Sequence, residues 1–226
     1  MNKLEHIAFI LDGNKRWAKK NNLSSFVGYS KGFENIKNIV NFSLNIKLKN
    51  LTLYALSSEN FHRSSLDLIY DIIYKNFSKY FEDLVVDNGV KIKIFGSRKN
   101  LPNKILDIFE NIEKLSLNNS TLNLNIAFNY GFKHEIKKVL KKVKNNDLEI
   151  DLDNEQDIDK LFDIGKFPDP DILIRTGGYK RLSNFIMYNL TYTEFFFTDT
   201  LWPDFSEEEF NDIIKEYSNI RRKYGL

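Results

Sequence analysis

Along the chain, short runs of apolar, β-favouring residues alternate with longer stretches whose apolar positions recur every three or four residues. The short runs are residues 6–11 (HIAFIL), 51–56 (LTLYAL), 91–96 (KIKIFG), 121–130 (TLNLNIAFNY), 171–176 (DILIRT) and 194–202 (EFFFTDTLW). The helix-period stretches are 31–46, 66–88, 103–117, 133–144 and 207–222. This alternation predicts an α/β fold with a mostly parallel central sheet of about six strands flanked by helices, in which ligands sit at the carboxyl ends of the strands. Residues 66–88 carry more apolar side chains than one buried stripe needs, among them Ile69, Ile72, Ile73, Phe81, Leu84 and Val85. Such a helix is either deep in a core or the wall of an apolar cavity.

The 226 residues are 42% hydrophobic, enough for one substantial core, and residues 1–226 read as one domain. The polar, acidic stretch 145–159 reads as a surface connection. A net charge of +2, from 33 basic and 31 acidic residues, gives no global field for nucleic acid, so anion binding must come from local clusters. With no cysteine, disulfides and thiolate chemistry are excluded. The apolar run at the start ends at Asp12, too early for a signal peptide, and no later run is long enough to span a membrane. A soluble, cytoplasmic protein is the expectation.

The charged chemistry falls just after the strand patterns. Asp12, Gly13 and Asn14 follow the first run: the glycine permits a sharp turn, Asn14 can cap a helix from Lys15, and Arg16 suits phosphate oxygens. Asp12 there makes sense if a hard cation such as Mg²⁺ bridges its carboxylate to a phosphate. Taken alone, the segment reads equally well as a strand, turn and helix with exposed basic residues. Three more segments follow strands: SSENFHR with Ser57, Glu59, Asn60 and Arg63; RTGGYKRLSNF with Arg175, Arg181 and Ser183; and Glu194 before an aromatic strand. Convergence of these loops on one sheet edge points to an anion site for more than one phosphate. His6, His62 and His134 lack metal-ligand spacing; His6 and His134 read as structural, and His62 lies near the candidate site. There is no GxxxxGK[ST] or GxGxxG segment, and no GxSxG elbow at the end of a strand pattern, which argues against Walker-type hydrolases, dinucleotide enzymes and serine hydrolases.

The segments HIAFILDGNKRWAKK, LTLYALSSENFHR, LNIAFNYG, DILIRTGGYKRLSNF and EFFFTDTLWPDF resemble, in order and spacing, the signatures of the cis-prenyltransferases, most closely the bacterial undecaprenyl diphosphate synthases. The resemblance runs from His6 to about Gly225. It implies an Mg²⁺-dependent enzyme that condenses isopentenyl diphosphate onto an allylic diphosphate, usually farnesyl diphosphate, and houses the growing cis-polyprenyl chain in a hydrophobic tunnel. The product carries cell-wall sugars. By the resemblance Asp12 is the essential acid that helps hold Mg²⁺, and Gly13, Asn14, Lys15 and Arg16 line the allylic diphosphate pocket beside Trp17. Ser57, Ser58 and Glu59 lead to Asn60, Phe61 and Arg63 at the junction of the reacting groups. Arg175, Arg181 and Ser183 bind the diphosphate of isopentenyl diphosphate. Glu194 completes the Mg²⁺ site with the facing subunit involved. A base must take a proton from the condensing unit, and Asp12, the Asn60 region and the departing diphosphate are all candidates.

The resemblance further implies a homodimer using the last strand and helix, including Phe195, Phe196, Phe197 and Trp202, and transient membrane-surface contact by a lipid-like product. Ala55, small and on a strand expected to face the tunnel, suggests room for a long product. Several residues depart from the family pattern: Ser25 stands for an arginine and Tyr29 for a histidine, both in contact with the allylic diphosphate; Tyr179 stands for a frequent glutamate, Phe132 for a glycine, and Lys223 for an arginine. Losing one charge-assisted hydrogen bond costs on the order of 1.5–3 kcal/mol, so weakened allylic binding is expected. Because Asp12, Arg175, Arg181 and Ser183 are present, an active enzyme is favoured over a non-catalytic partner subunit. An RNA-binding role lacks the required charge excess, and no DDxxD segment suggests a trans-type prenyltransferase.

Overall fold

The computed structural model describes residues 3–61, 66–145, 151 and 153–221. Its core is a six-stranded sheet. Strand β1 (His6–Ile10) pairs with β2 (Asn50–Ser57) on one side and with β5 (Ile172–Arg175) on the other. Beyond β2 lie β4 (Leu122–Tyr130) and the edge strand β3 (Val90–Phe95); beyond β5 lies the other edge, β6 (Glu194–Phe197). Every pairing is parallel. Parallel strands are covered on both faces, which is why β1 and β5 are buried at every position and read as unbroken apolar runs.

Alternate residues feed two cores. Ile7, Phe9, Leu51, Leu53, Ile172 and Ile174 face one layer, and Ala8, Ile10, Tyr54, Ala127 and Leu173 face the other. The first layer receives helices α2 (Ser25–Asn45), α3 (Leu66–Ile72), α4 (Ser78–Asn88), α5 (Asn103–Leu115) and, near the carboxyl end, α8 (Glu207–Asn219). Helix α1 (Asn14–Lys20) follows β1; α6 (Phe132–Lys144) follows β4; and α7 (Glu155–Asp159) is a short turn of helix in the acidic connection.

The single helix expected over 66–88 is two helices joined by a π-helical turn, Ile73–Phe77. Helix α2 begins at Ser25, six residues before the periodicity suggested, because Ser24 caps it by accepting from the Val27 N–H. Gly28 and Gly32 dilute the apolar pattern there, yet they are contacts: a Cβ at Gly28 would lie 2.9 Å from Ala18 Cβ and collide with the Asn14 carbonyl. Trp202, expected at a subunit interface, is fully buried instead. It packs edge-on to Phe9, stacks on Phe205, and donates its ring N–H to the Gly32 carbonyl at 2.8 Å.

At the amino ends of the strands His6 is fully buried. Its Nδ1 donates to the Pro168 carbonyl at 2.5 Å, so Nε2 accepts from Thr52 Oγ1 at 2.7 Å and the ring is neutral. Burial pushes the ring down to about 4, against the opposing pull of the Pro168 carbonyl and Asp171. The unfolded chain takes up that proton near pH 6.5 and the folded one only near 4. The stability from neutral His6 is therefore complete above about pH 6.5 and lost as pH falls toward 4, amounting to about 3 kcal/mol across the window. Urea unfolding between pH 7.5 and 4 should show this slope, and His6→Gln should flatten it by a comparable amount.

Candidate active site

The register sets Ile10 of β1 beside Arg175 of β5, and Arg175 beside Phe197 of β6, so three strands deliver their ends at one level. Past Ile10 the chain turns through Gly13, whose φ of 128° suits glycine and where a Cβ would lie 2.9 Å from Leu201. That geometry makes Gly13 the residue preceding α1. Asn14, expected as the cap, is the first helical residue, and its buried Oδ1 has no hydrogen-bond partner.

Asp12 is fixed from several directions. Its N–H donates to Thr176 Oγ1 (3.0 Å), while its carbonyl accepts from the Thr176 hydroxyl (2.8 Å) and the Trp202 N–H (3.0 Å). Its carboxylate accepts from Arg16 at 3.0 Å and from Arg175 at 2.9 Å. Arg175 is buried, with 3% side-chain exposure, and donates also to Ser183 Oγ (2.7 Å) and to the Arg181 carbonyl. Arg16 reaches the Gly177 carbonyl at 2.7 Å, and Arg181 Nε donates to Ser183 Oγ at 3.3 Å. Two guanidiniums thus share one carboxylate while the third, Arg181, rests on Ser183, a net positive cluster suited to a polyanion.

Three recesses meet here, and Leu11 and Ala55 line all of them. The largest, about 650 Å³, is walled by Asp12, Tyr54, Ser57, Glu59, Asn60, Arg175, Tyr179, Arg181, Ser183 and Asn184. The second, about 250 Å³, runs along the start of α1 past Asp12, Gly13, Asn14, Lys15, Arg16, Tyr29 and Asn60. The third is apolar, about 100 Å³, between the sheet and α2 to α5, with walls that include Phe33, Ile36, Leu53, Ile69, Ile72, Ile73, Phe81, Phe109 and Phe128. The apolar surplus of 66–88 is thereby explained: Ile69, Ile72, Ile73 and Phe81 line the cavity, whereas Leu84 and Val85 are core. Ala55 is exposed toward these recesses, as expected for its strand.

The predicted residues divide plainly. Asp12, Gly13, Asn14, Lys15, Arg16, Tyr29, Ser57, Glu59, Asn60, Arg175, Arg181 and Ser183 come together. Trp17 does not line the clefts; its ring N–H donates to Asp204 at 2.6 Å, tying α1 to the turn after Trp202. Ser25 and Ser58 also lie off the lining, Ser58 donating to Glu59 at 3.2 Å, and Phe61 is buried in the core. His62, Arg63 and Lys223 fall outside the described residues. Glu194 pairs in register with Ile172 at the opposite end of the sheet from Asp12, so one chain alone does not bring the two carboxylates together. Residues not foreseen are Thr176; Asn184, which donates to Glu59 at 2.6 Å; and Tyr54, whose hydroxyl donates to the Tyr130 carbonyl at 3.1 Å and the Ser183 carbonyl at 3.3 Å. Burial pushes the Tyr54 phenol well above its ordinary range, so it remains a donor. Tyr54 sits inside an unbroken strand pattern, so nothing local marks it.

Among the described residues no three His, Asp or Glu cluster as metal ligands. Asp12 offers one partly exposed carboxylate, the donor Mg²⁺ takes when phosphate oxygens and water supply the remainder, so the donor set fits an ion that arrives with its substrate.

Residues 10–225 match the prenyltransferase family described as undecaprenyl diphosphate synthase. The chain belongs to this family. An isoprenyl transferase from Aquifex aeolicus is 36% identical over 98% of this chain and 95% of its own. A tritrans,polycis-undecaprenyl-diphosphate synthase (geranylgeranyl-diphosphate specific) from Pyrobaculum aerophilum is likewise 36% identical, over 97% of this chain and 95% of its own. Among solved structures, the lavandulyl diphosphate synthase of Lavandula x intermedia in complex with dimethylallyl diphosphate aligns with a TM-score of 0.90 at 33% identity, covering 98% of both chains. The protein is therefore an enzyme of the prenyltransferase class, and its fold is the family fold. Asp12 forms an ion pair with the buried Arg175 at 2.9 Å. Asp12→Ala leaves Arg175 without a counter-charge, and because Asp12 is partly exposed the cost should be about 1–3 kcal/mol, below that of a fully buried pair. The urea midpoint measures it.

Proposed function

We propose that the protein is a Mg²⁺-dependent cis-prenyltransferase that condenses isopentenyl diphosphate onto an allylic diphosphate, farnesyl diphosphate in the first instance, to give a long Z-polyprenyl diphosphate such as undecaprenyl diphosphate. The observation that carries this reading is the meeting of two polar clefts and one apolar cavity at Leu11 and Ala55, with Asp12 and Asn60 shared by both polar clefts. Two diphosphates and one growing hydrocarbon are what such a junction would hold.

The cleft along α1 suits the allylic diphosphate, through Lys15, Arg16 and the first N–H groups of the helix, with the hydrocarbon entering the cavity beside Tyr29. The larger cleft suits isopentenyl diphosphate, through Arg175, Arg181 and Ser183. Cleaving the allylic C–O bond leaves a carbocation-like fragment and a diphosphate; a C–C bond then forms to the isopentenyl unit, which loses a proton. Arg16 and Arg175 are preset by Asp12 and need little reorganisation to stabilise the leaving charge. Mg²⁺ bound at Asp12 with the diphosphate would neutralise further charge. Asp12 and Asn60 both border the two clefts, and either could stand beside the departing proton.

A homodimer is part of this reading. Edge strand β3 carries Lys91 and Lys93, charges that discourage further strand pairing, whereas edge strand β6 shows Phe195, 42% exposed, stacked with Phe197. A second subunit on that edge would cover the aromatic run and stand close to Glu194. Among the described residues no helix is long and apolar enough to cross a membrane, so product release to a lipid surface would be a transient contact.

The test incubates the purified protein with labelled isopentenyl diphosphate, Mg²⁺ and dimethylallyl, farnesyl or geranylgeranyl diphosphate, then sizes the extracted products. A long product from farnesyl diphosphate is expected, lost in EDTA and reduced by roughly 10²–10³ or more in Asp12→Ala. Product from none of the starters would favour a non-catalytic partner subunit. Chain length has its own control: Phe33 narrows the cavity and meets Tyr80 and Phe81 edge-on, with centroids at 6.1 and 6.2 Å. Phe33→Ala should shift the product distribution to longer chains, read from the same separation.

A further inference from the structure

Loop 176–183 after β5 folds back over the larger cleft. Gly177 and Gly178 take φ of 84° and 79°, and their N–H groups donate to the Thr200 and Thr198 carbonyls, each at 2.8 Å. This reversal returns the Tyr179 ring, 44% exposed, into the middle of the arginine cluster. Its centroid lies 4.2 Å from Arg181 Cζ, 4.7 Å from Arg16 Cζ and 5.8 Å from Arg175 Cζ. Arg16 and Arg175 share the Asp12 carboxylate, whereas among the described residues no carboxylate pairs with Arg181, which has the Ser183 hydroxyl and this ring. Like charges gathered around one carboxylate repel one another, and an aromatic face within about 6 Å attracts each of them without neutralising any.

We propose that Tyr179 is a positioning residue for diphosphate binding: its ring gathers the three guanidiniums by cation–π attraction and keeps them ordered and fully charged for the anion. A carboxylate at this position would also gather the arginines, but as a salt-bridge partner it would compete with the diphosphate for their N–H groups. A ring leaves those donors in place, and preorganisation of this kind lowers the ordering cost of binding. These contacts are made by the ring and not by the phenol hydroxyl.

The inference rests on the larger cleft being a diphosphate site, and binding of inorganic pyrophosphate, measured by calorimetry on the full-length protein without turnover, separates the two ideas. Tyr179→Phe keeps the ring and should bind pyrophosphate within about twofold of the parent. Tyr179→Leu keeps bulk but not the aromatic face; it should bind about tenfold more weakly, since each cation–π contact contributes a few-fold in affinity. The KM for isopentenyl diphosphate should rise by the same factor, with kcat largely held. Unchanged or tighter pyrophosphate binding in Tyr179→Leu overturns the proposal alone, as does a Tyr179→Phe variant as weak as Tyr179→Leu. Absence of pyrophosphate binding by the parent protein overturns both this proposal and the diphosphate reading of the cleft.

Discussion

The carboxyl end of β1 is closed by one residue whose backbone and side chain are both committed. Asp12 receives the Thr176 hydroxyl from β5, the Trp202 N–H from the turn before α8, and two guanidiniums, one of them buried. These bonds tie the start of α1 to the strand beside β1 and to the aromatic core under α2, where Trp202 bonds the Gly32 carbonyl. Move Asp12, and the entry to α1, the loop after β5 and the mouth of the apolar cavity all lose a fixed point.

An all-parallel sheet explains why the site lies here. Every strand points its carboxyl end the same way, and β1 is the strand from which the order runs outward to β2 on one side and to β5 on the other. The loops leaving these strands part in opposite directions and open a crevice between them. The alternation that buries Ile126 in the first layer turns Phe128 toward the cavity further along β4, while a register shift between Tyr54 and Leu56 leaves Ala55 outside the β2–β4 pairing and facing the same space. A polar junction and an apolar cavity thus share one wall without a separate domain to house either.

The charge arrangement carries a stability cost. Arg175 is buried with an Nε that has no partner, and Asn14 Oδ1 is a buried acceptor without a donor. Such groups are destabilising where they stand unless something else satisfies them. Both residues line the polar clefts, Arg175 the larger one and Asn14 the one along α1, although the Asn14 Oδ1 itself faces Gly32. By contrast, toward the amino ends of the strands His6 has both ring nitrogens partnered and is held neutral between Pro168 and Thr52.

The sequence by itself determined the strand set and its class, because a strand buried on both faces must be apolar throughout and strands separated by helices must run parallel. It also determined the chemistry of the junction: DGNKR, SSEN and RTGGYKRLSN follow strand patterns directly, so their convergence needed only the sheet. What sequence could not decide were contacts made across the fold. Gly28 and Gly32 carry no apolar signal in the chain, and only the nearness of α1 explains them. Trp202, implied at a subunit interface by the resemblance, proves to be core because Phe9 and Phe205 enclose it. Glu194 opens a strand signal where the other charged residues follow theirs, and register with β5 sets it beside Ile172, at the opposite end of the sheet from Arg175. Tyr179 stands out in the chain only as an unusual residue after two glycines, and its place among three arginines exists because those glycines turn the loop back over residues far away in sequence.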